Sequence, residues 1–327
     1  MLKLDTKDKK ILYELSKNAR LSYAELGKKT ALHKDTVAYR MKQLETQNII
    51  SGYTLVFNFG KLDVQIHKLY IKFGNIDQKK IEQIAEELKK QKHIIWIVLC
   101  NGTWDMIATV TVQSNRDFYS FKQWFEKEYE PYLYEFKSTA HVEAYFYSRD
   151  YLVQKPVSQE IKIFETESKK AQIDSTDIKI IELLANNSRI PTIEIAKALK
   201  ITAHTIAYRI RQLEKAHILL QCRASINIEE IGYIFVKAFI KLQSISQEVR
   251  KKILEYCRNH PNIIHNVECL GEWDLEPEFE VQSIEVFYQI ISEMRHKFAQ
   301  HIASVESVII HRELKYKLIP LIKSTDG

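Results

Sequence analysis

The chain has 327 residues, 45% of them hydrophobic and 28% charged, and a formal net charge of +6. That length suits two to four cores at roughly 150 residues per domain, and the composition excludes a chain disordered throughout. No run approaches the roughly 18 uncharged apolar residues of a membrane span, and Met1-Leu2-Lys3-Leu4-Asp5 opens no apolar signal core, so a cytoplasmic protein without a membrane partner is expected.

Residues 1–50 hold 11 Lys and Arg against 6 Asp and Glu, a local excess that suits a polyanion such as double-stranded DNA. In the same stretch apolar residues recur at helical spacing: Leu4, Ile11, Leu12 and Leu15, then Leu21, Ala24 and Leu26, then Val37, Met41 and Leu44. Three short helices follow, the third entered through the turn Ala31-Leu32 and a polar start at His33, which reads as helix-turn-helix. Ile49 to Phe57 is rich in β-branched and aromatic residues and predicts a short wing. Next come a strand at Leu69–Phe73, an amphipathic helix over Gln78–Gln91, strands at Ile94–Cys100 and Met106–Val112, a helix over Asn115–Glu128 and a last strand near Ala140–Tyr147. Strand, helix, strand, strand, helix, strand is the ferredoxin-like order.

Residues from about Asp150 to Gln172 are rich in Lys, Glu, Ser and Gln around Pro156 and read as a linker, with Ile161-Lys162-Ile163-Phe164 as a patch able to dock. Beyond it the sequence repeats itself. A shift of 169 residues aligns 8–54 with 177–223 at 16 identities in 47, and later places Cys100 on Cys269 and Gly102-Thr103-Trp104-Asp105 on Gly271-Glu272-Trp273-Asp274. The fold class expected is therefore α+β: two tandem units, each a winged helix-turn-helix followed by a ferredoxin-like βαββαβ domain. The corresponding spans are 1–57, 58–150, a linker at 151–172, 173–226 and 227–320. Copy two departs in two places, with Gln221 where copy one has Gly52, and Pro277 inside Leu275-Glu276-Pro277-Glu278-Phe279-Glu280. A proline cannot donate to a central ladder, so that strand should be an edge, bulged or frayed.

Cys100, Cys222, Cys257 and Cys269 form no Cys-x-x-Cys pair and have no histidine at zinc-ligand spacing, so neither a metal site nor a disulfide scaffold is expected. Cys100 and Cys269 read as small buried hydrophobes, and His260, His265 and His296 as surface or packing residues. With no nucleophile motif, phosphate loop or paired-carboxylate signature, no catalytic residue and no cofactor is expected.

The third helix, His33-x-x-Thr36-Val37-x-x-Arg40-Met41-x-x-Leu44-Glu45 followed by Ile49-Ile50-x-Gly52-Tyr53, resembles that of the Lrp/AsnC family of prokaryotic regulators. Copy two repeats it as Thr202-x-x-Thr205-Ile206-x-x-Arg209-Ile210-x-x-Leu213-Glu214, and both Gly-x-Trp-Asp turns resemble the turn between the middle strands of that family's ligand-binding and assembly domain. The resemblance implies a sequence-specific DNA-binding regulator that is not an enzyme, modulated by a small effector such as an amino acid. With Val37, Met41 and Leu44 facing inward, Lys34, Asp35, Thr36, Tyr39, Arg40 and Lys42 are the expected DNA contacts, and in copy two Ala203, His204, Thr205, Tyr208, Arg209 and Arg211. By resemblance, Gly102, Trp104, Asp105, Gly271, Trp273 and Asp274 line the effector cleft. Two glycines at equivalent positions, among only 8 in the chain, also point to a backbone requirement such as positive φ.

Some proteins built like this family decarboxylate sirohaem-type tetrapyrroles as pairs of related units. They share a His- and Arg-rich stretch on the middle strands, where this chain has Ile95-Trp96-Ile97-Val98 and, in copy two, only His265. Family members usually dimerise through the α+β domain. In this chain the two α+β domains are expected to pack on each other as an intramolecular pseudo-dimer, which leaves room for further homo-oligomers. A linker of about 20 residues reaches over ~60 Å, beyond the ~34 Å between half-sites one turn apart.

Overall fold

The computed structural model describes residues 4–154, 160–165, 169–244 and 246–316. Copy one begins with α1 (Thr6–Lys17), α2 (Tyr23–Thr30) and α3 (Lys34–Thr46), then β1 (Ile50–Phe57). Its second half runs β2 (Gln65–Phe73), α4 (Gln78–Lys89), β3 (Ile94–Gly102), β4 (Met106–Val112), α5 (Asn115–Tyr129) and β5 (Leu133–Tyr147). After β6 (Glu160–Glu165), copy two repeats the series as α6 (Ser175–Asn186), α7 (Thr192–Leu199), α8 (Ala203–Lys215) and β7 (Leu219–Ile226). It continues with β8 (Ile234–Leu242), α9 (Gln247–Asn259), β9 (Ile263–Leu270), β10 (Glu278–Val281), α10 (Ile284–Lys297) and β11 (Ile302–Tyr316).

Local chemistry sets the helix ends. Asp5 caps α1 and Ser22 caps α2, each in a reciprocal box closed by Asp8 and Glu25 respectively. The turn into α3 is made by Ala31 in the left-handed region (φ 57°), and its counterpart before α8 by Lys200 (φ 56°). Leu12, Leu15, Leu26, Val37, Met41 and Leu44 share one buried cluster, each worth roughly 1.5–3 kcal/mol on leaving water.

The wings do not stand alone. β1 and β7 pair antiparallel, from Ile50 opposite Ile226 to Phe57 opposite Leu219, so the two helix-turn-helix units are joined by a two-stranded ribbon. Each unit also reaches across: Arg20 Nη1 donates to the Ser188 carbonyl at 2.7 Å, and Arg189 Nη1 to the Ala19 carbonyl at 2.7 Å. These residues are equivalent under the repeat, so the pair has an internal two-fold.

The remaining strands form one nine-stranded sheet in the order β2-β4-β3-β11-β8-β10-β9-β5-β6, and an additional β2–β5 pairing closes eight of them into a ring. Closure comes from two long strands that leave their own unit. β5 pairs with β2 through His67–Phe73 and then with β9 from Ala140 to Phe146; β11 pairs with β8 and then with β3 up to Tyr316. The α+β halves of one chain therefore form the expected pseudo-dimer by exchanging strands. Both long strands run 15 residues, and β5 begins at Leu133, well before the expected start near Ala140, because Leu133 to Ala140 pairs along β2 from Phe73 back to His67.

Period-two alternation assigns the two faces. Leu69, Ile71 and Phe73 pack under α4 and α5, and Val236, Ala238 and Ile240 under α9 and α10. Between them Lys68, Tyr70, Lys237 and Phe239 turn inward.

Two expectations change in detail. Pro277 lies just before β10, which is not an edge: it sits between β8 and β9. The strand keeps only four residues, against seven in β4, and slips register against β9 between Glu278 and Phe279. Pro277 contributes only its carbonyl, which accepts from Ala238 N–H at 3.0 Å. In the expected linker, Glu160–Glu165 pairs with β5 as β6 and buries Ile163 and Phe164, so the apolar patch docks as a strand. Residues 155–159 and 166–168 of that span, and 317–320 of the last one, lie outside the described residues.

Candidate nucleic-acid interface

Val37, Met41 and Leu44 seat α3 on its unit, and Ile206, Ile210 and Leu213 seat α8. That anchoring leaves Lys34, Asp35, Tyr39 and Lys42 in solvent on one helix, and Ala203, His204, Tyr208 and Arg211 on the other. Tyr39 is 65% and Tyr208 53% exposed, unusual for so large an apolar ring and suited to a surface that a partner covers. Thr36 is half-buried, and Thr205 bonds Thr202, whose hydroxyl caps α8 at 3.1 Å. His33, at the matching position, forms no cap bond and stands 3.2 Å from Asp35.

Arg40 and Arg209, also expected at DNA, are held elsewhere. Arg40 Nη1 lies 2.7 Å from Asp8 and 2.9 Å from Asp5, and Arg209 Nη1 lies 2.7 Å from Asp174 and 2.9 Å from Asp177. Both guanidiniums are raised above their ordinary value by these carboxylates, the Asp8 bond leading for Arg40 and the Asp174 bond for Arg209. They tie the first helix of each unit to the third, which fixes the angle at which the open face is presented.

The six turn residues expected to line an effector cleft each have a structural role. Gly102 and Gly271 have φ of 130° and 145°, and a Cβ there would stand 2.8 Å from the Ser307 carbonyl oxygen and 3.0 Å from that of Ser138, where the exchanged strands cross. Trp104 and Trp273 are buried, with ring centroids 6.0 Å apart on the internal two-fold. Asp105 accepts from Phe73 N–H and Asp274 from Leu242 N–H, both at 2.8 Å, and Lys72 also bonds Asp105 at 2.7 Å. The positive φ is as expected.

Sequence reasoning missed a buried ionic cluster inside the ring. Lys68 and Lys237, equivalent under the repeat, lie 3.0 Å and 2.9 Å from Glu276, and Lys237 lies 2.9 Å from Glu278. Tyr70 and Thr139 also donate to Glu276. Burial opposes ionisation of both carboxyls, but the Lys237 ammonium, aided by Lys68 at Glu276 and by His265 at Glu278, outweighs it and holds them well below the usual range. The signal was legible: alternation puts Glu276, Glu278 and Glu280 on one face, where copy one has Ile107, Thr109 and Thr111. Copy two's carboxylates thus neutralise the lysines of both copies.

Comparison with known proteins agrees with this geometry. The model of the AsnC-type helix-turn-helix domain matches residues 4–45 and again 173–214. A helix-turn-helix-type transcriptional regulator of Pyrococcus furiosus is 31% identical over 121 residues, covering 37% of this chain and 80% of that protein. The regulator LrpA of Pyrococcus horikoshii is 31% identical over 116 residues, covering 35% of this chain and 79% of its own. Among solved structures, the siroheme decarboxylase NirDL superposes with a TM-score of 0.62 at 11% identity over 98% of this chain and 94% of its own, a likeness of fold. On the twice-matched domain and the regulators it parallels over four-fifths of their length, the chain belongs to the Lrp/AsnC family of helix-turn-helix transcriptional regulators.

Proposed function

We propose that this chain is a sequence-specific DNA-binding regulator, not an enzyme, that acts in the cytoplasm, sets α3 and α8 together on one duplex, and changes its DNA affinity on binding a small effector. The observation that carries the reading is the pairing of the two open helix faces through the β1–β7 ribbon and the reciprocal arginines, which gives one chain two reading heads at fixed separation. The heads differ, Lys34-Asp35 against Ala203-His204 and Lys42 against Arg211, so one chain prefers two unlike half-sites to a true palindrome.

Selection of bound sequences from random DNA, followed by salt titration, tests it. Lys34→Ala with Lys42→Ala weakens binding to all sequences and lowers the slope of log affinity against log salt by about 2, since two fewer phosphates are neutralised and their counterions stay on the DNA. Tyr39→Ala shifts sequence preference more than general affinity. An unchanged slope, or no selected site, overturns the assignment.

The whole-chain likeness to a siroheme decarboxylase favours one second reading, a tetrapyrrole enzyme. A visible spectrum of the purified protein mixed with sirohaem discriminates: a retained, shifted absorption band supports it, and free pigment after gel filtration refutes it.

A further inference from the structure

Between the β1–β7 ribbon and the inner face of the closed sheet lies a cavity of about 440 Å³, within the roughly 300–1,000 Å³ typical of small-molecule sites. Its polar groups are poorly matched. Arg223, on β7, is only 5% exposed; its Nε donates to the Ser16 carbonyl at 3.0 Å and its guanidinium lies 4.8 Å from the centre of the Phe146 ring. On the same wall Glu280 is taken by Arg149 in a two-point bond at 2.8 Å, and among the described residues no carboxylate pairs with Arg223. Burial, with Arg149 nearby, pushes the Arg223 guanidinium down to about 10, so it stays a cation at neutral pH. His141 is 8% exposed with neither ring nitrogen partnered, and His265 leaves Nε2 unpartnered. The rest of the lining is mixed: Trp96, Phe235, Ile264 and Ile310 give it apolar surface, and Lys68, Glu278 and Glu313 stand beside them.

A buried unpaired cation and unpartnered imidazoles each carry a cost that an occupant relieves. We infer that this cavity binds an aromatic monocarboxylate, its carboxylate taken by the free Nη groups of Arg223, its ring held among Phe146, Trp96 and Phe235, and its polar edge met by His141. One negative charge gives Arg223 the partner it lacks. A polycarboxylate macrocycle does not suit it, because Glu278, Glu280 and Glu313 line the same space. The cavity is walled by the ribbon on one side and the sheet on the other, so an occupant ties the paired reading heads to the ring. That consequence rests on the regulatory reading; the binding does not.

Calorimetric titration of the full-length protein with indole-3-acetate, phenylacetate, phenylacetamide and iron uroporphyrin tests the site without DNA. Expected are saturable binding of the two carboxylates, none of the amide, and a loss of about ten-fold or more in Arg223→Gln, as for a bond to a charged group. Because Arg223 also holds Ser16, the cavity-filling Ile264→Trp gives a second reading and abolishes binding while DNA affinity without ligand is kept. Binding of the amide equal to the acid, tighter binding of the porphyrin, or no heat from either acid overturns the proposal, as does an Ile264→Trp variant that binds unchanged. A final titration on the selected DNA site separates the two claims: acid that binds without altering DNA affinity refutes the coupling alone, and a protein that binds acid but no DNA refutes the regulator alone.

Discussion

Replacing Glu276 by Gln removes one of the two carboxylates that Lys68 and Lys237 share and leaves two buried lysines, 3% and 0% exposed, with Glu278 as their only anion in the cluster. Breaking a buried pair by deleting one partner costs about 3–5 kcal/mol, because the surviving charge is left desolvated. Against a domain stability of about 5–15 kcal/mol that is a large fraction, equivalent to a drop of roughly 6–20 °C in the melting midpoint. Trp104 and Trp273 pack on Tyr70, which bonds Glu276, so tryptophan fluorescence during urea unfolding at pH 7 reports on the site directly. The sharper test adds Lys68→Met. With Lys68 gone, Lys237 keeps Glu278 at 2.9 Å and the charges balance again, so the double variant recovers more than half of the loss. A Glu276→Gln variant that loses under about 1 kcal/mol, or a double variant no better than the single one, refutes the view that these charges hold the two halves together.

Arg20→Ala or Arg189→Ala removes a charge-assisted bond between the reading heads and costs about 1.5–3 kcal/mol; fluorescence anisotropy then shows weaker binding to a two-half-site duplex with half-site affinity unchanged. Gly102→Ala forces a Cβ to 2.8 Å from the Ser307 carbonyl at φ 130° and destabilises by more than about 1 kcal/mol in thermal melts. His67, stacked on Phe118 and pushed down to about 4 by burial, stays neutral in the fold when the unfolded chain takes up its proton. Its contribution is complete above pH 6.5 and lost as pH falls toward 4, about 3 kcal/mol across that window, and His67→Phe flattens this part of the stability profile.

The repeat, the three helices of each unit, the order of strands and the open faces of α3 and α8 were legible because all are local or periodic: caps, turn residues and apolar spacing act within a few residues. The positive φ of Gly102 and Gly271 was legible for the same reason. Other features required the tertiary structure. Only the fold brings Asp5 and Asp8, more than thirty residues away, to the Arg40 guanidinium. Trp104 and Trp273 belong to separate copies, and only the internal two-fold makes them one core. Pro277 lies within a central part of the ring because β8 needs its carbonyl and not an N–H. Spacing along a chain encodes which face a side chain takes, whereas the partner across that face is chosen by strand exchange between copies 169 residues apart, a separation over which no local pattern carries information.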